Sequence, residues 1–284
     1  MSSSLRWSSS ATSRTGFIHQ LALAPTEGDA WDLVRKFKSS EKPLDEKLAT
    51  LAYACIVSNA HAQYPIAGTF HTVVEEAFET GMGRGKQGLR FRSLFLQCRG
   101  KASGNFTRAI LLIGAALFGS RRACEHLFNE YVAAKDSKDV QLLRTIFPLS
   151  ILRVLTVVDS RAAHRTLLRI SKLPIISTHA MADHERLWTA IAVTLCGLSQ
   201  GSRLLFNLLE NKDASLMDRL RMAFVLAWAG NQQGCDLLVK LLSEAPKDAE
   251  FVYLTKLYEM FPVREKKNRP FMDQILTRIN SRSS

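Results

Sequence analysis

Between Glu79 and Glu125 the chain carries no acidic residue. In that window stand Arg84, Lys86, Arg90, Arg92, Arg99, Lys101, Arg108, Arg121 and Arg122, nine cations in a chain whose formal net charge is +12. Arg90-Phe91-Arg92 and Phe95 interleave base with aromatic, and glycines at 81, 83, 85 and 88 let a backbone approach a phosphate closely. Cations that neutralise phosphates, beside a ring that stacks on a base, are the chemistry of a sequence-independent polyanion contact. The residues expected to form it are Arg84, Lys86, Arg90, Phe91, Arg92, Arg99, Lys101, Arg121 and Arg122. The competing reading is a solvated basic loop whose Phe91 and Phe95 pack into a core.

Other chemistries find little support. Gly85-Lys86 suggests a phosphate-binding P-loop, but Thr80 stands where the first glycine is needed and Gln87 where Ser or Thr is needed. His179, His184 and Glu185 flank a turn without the i, i+4 histidine spacing of a zinc protease. No G-x-S-x-G nucleophile elbow occurs. Catalytic residues, metal ligands and cofactors are therefore all expected to be none. The cysteines at 55, 98, 124, 196 and 235 lie far apart and mostly in apolar patterns. Reduced, partly buried thiols in an intracellular, cytoplasmic setting are the expectation.

The elements that carry the cations read as helices. Hydrophobic content is 46% and charged content 23% over 284 residues, a folded composition. The longest apolar run, 109–118, is about half of the ~20 residues that a membrane span needs. Residues 1–16, with seven serines, two arginines and no acid, read as a disordered or targeting tail. Mitochondrial import and specialised bacterial export are the targeting alternatives. Residues 17–80 read as an N-terminal helical region: helices are expected over 29–38, 44–62 and 71–80, with Pro65 and Gly68 as breaks. The glycines of 81–88 make 81–105 a basic linker, and 106–284 a repeat array.

In that array an Ala- and Leu-rich helix ends at a small turn, and a more leucine-rich helix follows at once. The turns are Phe118-Gly119-Ser120, Val158-Asp159-Ser160, Leu198-Ser199-Gln200 and Gly230-Asn231-Gln232. Arginines near the starts of the first helices, at 108, 144, 186 and 221, are 36, 42 and 35 residues apart. Such periods mark arrays of helical hairpins, in which stacking buries what one hairpin cannot. An irregular all-α bundle is the alternative, and Pro148 is expected to kink or split one helix.

Residues 203–230 carry the clearest unit: an apolar helix, a turn ending at Asp213, and a second helix with Arg221 and Ala223 that stops at Gly230. This stretch resembles a HEAT-type helical repeat. The resemblance implies an all-α, right-handed α-solenoid. It further implies that Asp213 and Arg221, and Asp136 and Arg144 in an earlier unit, form ladders between stacked hairpins. HEAT-like proteins are mostly non-enzymatic scaffolds, so the resemblance implies a macromolecular partner. That partner is expected to be another protein with an acidic surface, or RNA or DNA on the 81–122 region. Some HEAT-like proteins are DNA glycosylases. On that analogy Trp188, Trp228 and Asp183 would line a groove, and packing is the simpler role for both Trp residues.

Overall fold

The computed structural model describes residues 11–136, 141–158, 160–173, 181–210 and 214–244. Among these residues it is all helix, without a strand: α1 (Ala11–Ala22), α2 (Glu27–Ser39), α3 (Leu44–Val57), α4 (Ala60–Glu79), α5 (Gly85–Lys101), α6 (Asn105–Leu117), α7 (Arg121–Asp136), α8 (Gln141–Val158), α9 (Arg161–Ile170), α10 (Met181–Leu195), α11 (Ser199–Leu209), α12 (Leu216–Trp228) and α13 (Gln232–Glu244). The chain forms two compact units, residues 1–147 and 148–284, with the boundary inside α8.

In the first unit, helices pack with their immediate and next-nearest neighbours. α3 packs on α4, α5 on α6 and α6 on α7, while α1, α3 and α5 form one row and α2, α4 and α6 another. Polar side chains link successive turns of that unit. Asn59 caps α4 by accepting from the Ala62 N–H (3.0 Å), and its amide donates to the carbonyls of Ala22 (3.3 Å) and Ala24 (3.0 Å). The Gln63 amide donates to the Ser58 carbonyl (3.4 Å) and to Ser103 Oγ (2.8 Å). These bonds satisfy carbonyls that the ends of α1 and α3 would otherwise leave unpaired.

One turn design recurs along the chain. Gly81, Gly119, Gly197 and Gly230 each follow a helix with φ between 68° and 85°. At each, the glycine N–H and the next N–H return to carbonyls three and five residues back, as in Gly119 to Ala116 (2.9 Å) and Ser120 to Ala115 (2.9 Å). This is the Schellman cap, and the left-handed residue in it favours glycine. After three of these glycines a polar or small residue caps or opens the next helix. Ser120 Oγ accepts from Ala123 N–H (3.1 Å) and Asn231 Oδ1 from Gly234 N–H (2.9 Å). Ser160 Oγ accepts from Ala163 N–H (3.2 Å) in the same way. The residue three beyond each cap is small because the new helix starts against the old one. A β-carbon on Gly234 would collide with Leu226, and one on Gly201 with the Thr194 backbone.

Several boundaries differ from those read in the sequence. The stretch expected as a basic linker over 81–105 holds the five-turn helix α5. Only Gly81 and Gly85 there use positive φ; Gly88 and Gly100 sit inside the helix. Gly88 is there because a β-carbon would run into the Gly83 carbonyl. α4 runs through Pro65 and Gly68, both expected as breaks, and Pro65 is buried in its second turn. α8 likewise continues through Pro148. α1 begins at Ala11, inside the segment expected as tail, and Phe17 stacks on Phe37 of α2 with centroids 4.2 Å apart. Residues 1–10 of that tail and 245–284 of the expected array lie outside the described residues, as does Asp213. The side chains of Asp136, Arg144 and Asp183 are likewise outside the description. Arg221, expected in a ladder, pairs with Asp218 of its own helix at 2.9 Å.

Candidate functional site

α5 is where the cations of the acid-free window are organised. Its buried face is aromatic. Phe91 and Phe95 are 2% and 0% exposed. Their rings lie 5.9 Å apart, and Phe95 meets Phe118 at 5.4 Å and Phe70 at 5.1 Å, both edge to face. Gly114 of α6 makes room for this cluster, since a β-carbon there would sit 3.2 Å from Phe70 and Phe95. Phe91 is thus a core residue and is not presented to a base, which corrects its place among the expected polyanion contacts. The interleaving of base and aromatic in Arg90-Phe91-Arg92 is what a helix with one buried face produces.

The opposite face is basic. Lys86, Arg90 and Lys101 are exposed, as is Arg84 at the N-cap. The first turn of α5 carries no acid, so the positive end of the helix dipole adds to these charges. The turn before α5 packs on the end of α6, with Gly83 against Leu117 and Phe118. From the second turn of α5, the Arg92 guanidinium donates to the Gly119 carbonyl at 3.4 Å. Gly119 leads directly into α7, whose first two residues, Arg121 and Arg122, are both exposed. Five of the expected cations therefore gather where α5 and α7 begin: Arg84, Lys86, Arg92, Arg121 and Arg122, with Arg90 one turn along.

Arg99 and Lys101 do not join them. At 1.5 Å per residue they stand about 20–25 Å along α5 from Arg84 and Lys86, and about 10–14 Å beyond Arg92. Arg99 pairs with Glu130 of α7 at 3.4 Å. Arg108 is engaged locally, donating to the Ala102 carbonyl (3.4 Å) and to Asn105. The basic window is one stretch of sequence but two separate places on the protein.

One residue of this site went unmarked in the sequence. Leu89, on the exposed face between Lys86 and Arg90, is 50% exposed. Its signal is legible: it is out of phase with Phe91, Leu94, Phe95 and Cys98, which set the buried stripe.

The remaining candidates are structural. Trp188 packs against the core of the second unit, and Trp228 is buried and stacks on Phe224 with centroids 6.0 Å apart. All five cysteines are free and buried, where partial burial was expected. Burial pushes the Cys98 thiol up to about 12, with Lys101 opposing. It likewise pushes Cys196 up to about 12 against a hydrogen bond from Thr156. Burial raises Cys55 and Cys235 in the same direction, and neighbouring Cys98 and Asp236 respectively add to it. Such thiols are poor nucleophiles. Among the described residues no three His, Cys, Asp or Glu side chains converge on a metal position, and no helix is long and apolar enough to cross a membrane.

Compared with family models, curated proteins and solved structures, the chain matches none of them.

Proposed function

We propose that this chain is a non-enzymatic interaction scaffold, built as a HEAT-like α-solenoid, that seats an acidic protein partner on the basic end formed by α5 and α7. The two rows of next-neighbour helices in the first unit support the solenoid. The observation that carries the partner is Leu89, a half-exposed apolar side chain flanked by Lys86 and Arg90. Stable protein interfaces place an apolar anchor inside a polar rim, and the anchor contributes most of the affinity. The rim charges speed the encounter and select an acidic surface. Burial of Phe91 removes the aromatic that a base-stacking reading of this end requires.

The test is site-specific photo-crosslinking in cells from Ser93, exposed one turn along α5 from Leu89, followed by nuclease treatment and a wash at about 0.2 M salt, where phosphate contacts weaken steeply. A protein crosslinked from position 93 with Leu89 in place, and lost when Leu89→Asp is added, supports the scaffold. Crosslinks to nucleic acid alone overturn it.

A further inference from the structure

The second unit carries another acid-free window, from Asp159 to Asp183, and its cations are placed differently from those of α5. Arg161, Arg165 and Arg169 recur every fourth residue along α9, and Lys172 follows in the turn that continues it. All four are exposed. The opposite face, Ala162, Ala163, Thr166, Leu167 and Ile170, is buried. The four therefore form one straight stripe, with about 6 Å between successive members of the arginine series. His164 and Leu168, beside the stripe, are half-buried. The packed neighbour α10 presents one described carboxylate, Glu185, also half-buried.

We propose that the α9 stripe binds the phosphate backbone of a nucleic acid without regard to base sequence. Three features favour phosphates over an acidic protein. First, no large apolar side chain of α9 is exposed, so the stripe lacks the anchor that protein interfaces require. Interfaces with nucleic acid are polar and strongly positive instead. Second, three of the four cations are arginines, whose planar forks bind phosphate oxygens in pairs. Third, Arg161 stands at the positive end of the α9 dipole, which adds to the pull on an anion at the start of the stripe.

The inference stands apart from the α5 interface, and one titration series tests it. A fluorescein-labelled duplex of about 20 base pairs and arbitrary sequence is bound to the full chain between about 0.05 and 0.2 M salt, read by anisotropy. Changing Arg161, Arg165, Arg169 and Lys172 together to Gln is expected to weaken binding on the order of 100-fold. The same change should reduce the log–log salt slope by up to about 3.6, at ~0.9 for each phosphate that is no longer neutralised. Replacing the three arginines by Lys should keep most of the slope, because each point charge remains. Circular dichroism melts accompany each variant. If the quadruple variant does not fold, the Arg161→Gln, Lys172→Gln pair is used, with a slope reduction of about 1.8 expected. Lys36 and Lys38 of α2, exposed cations outside both basic sites, changed to Gln form the control, expected to keep the parent slope. A folded α9 variant that binds the duplex like the parent overturns the proposal. So does displacement of the duplex by polyglutamate at equal charge.

Discussion

α5 and α9 are both basic helices with no acidic residue, yet they differ in what lies between the charges. On α5 the exposed face interrupts its cations with Leu89, and the buried face is held by interlocked phenylalanines. On α9 the exposed arginines follow one another at helical pitch, over a buried face of Ala, Thr, Leu and Ile. Net charge does not tell these surfaces apart. The apolar residue inside the charge, or its absence, does.

The largest test concerns the buried faces. Phe91→Ala or Phe95→Ala in α5 should cost about 3–5 kcal/mol, and Leu167→Ala in α9 about 2–5 kcal/mol, in denaturant unfolding. Phe91→Ala with full stability would return that ring to the surface and dissolve the contrast. Next comes the anchor. Leu89→Asp should weaken the partner by at least ~2 kcal/mol at unchanged melting temperature. An equal weakening from charge changes alone would make α5 resemble α9.

Backbone fit gives a smaller effect. Gly88→Ala should destabilise by about 1–3 kcal/mol, because the added methyl meets the Gly83 carbonyl. Alkaline pH sharpens the comparison further, because Cys98 lies on α5 while α9 has no thiol. An unfolded thiol ionises near pH ~8.5, whereas burial holds Cys98 at about 12. The stabilisation is complete below the unfolded value and is lost as pH rises toward the folded one. The loss is on the order of 1 kcal/mol per pH unit. Cys98→Ala should remove its own share of that slope in melts between about pH 8 and 11, leaving the shares of Cys55, Cys196 and Cys235. Least of all, Arg161→Glu should stabilise α9 by about 0.3–1 kcal/mol, by pairing with Arg165 and suiting the dipole. Thermal melts should detect the rise.

Helix type was readable because it rests on local periodicity. The turns at Gly119 and Gly230 were readable because a left-handed cap asks for glycine. Reading failed where long-range contact decides. Four glycines over 81–88 look like a linker, but Gly88 is required by the nearby Gly83 carbonyl, not by flexibility. Pro65 looks like a break, yet α4 spans 20 residues and buries the ring, so packing offsets the one helical bond that proline forgoes. For the site, cation identity was legible and cation grouping was not. Arg92 joins Arg121 through a bond to Gly119, while Arg99 leaves for Glu130, and both facts depend on how α6 and α7 fold back.

The lateral amide bonds of Asn59 and Gln63 have a kinetic side. They join turns 35 to 40 residues apart, and the main helix packings of the first unit are between first and second neighbours in sequence. A chain held together over such short sequence distances closes no large loops on folding, so it folds quickly for its size. It also comes apart in order, because a helix at the end of a row is held from one side and an inner helix from both. Amide exchange should therefore run fastest in α1, slow through α3 and α4, and be slowest around the Phe70, Phe95 and Phe118 cluster. Cutting the Asn59 tie with Asn59→Ala should release α1 early while leaving that cluster's protection intact.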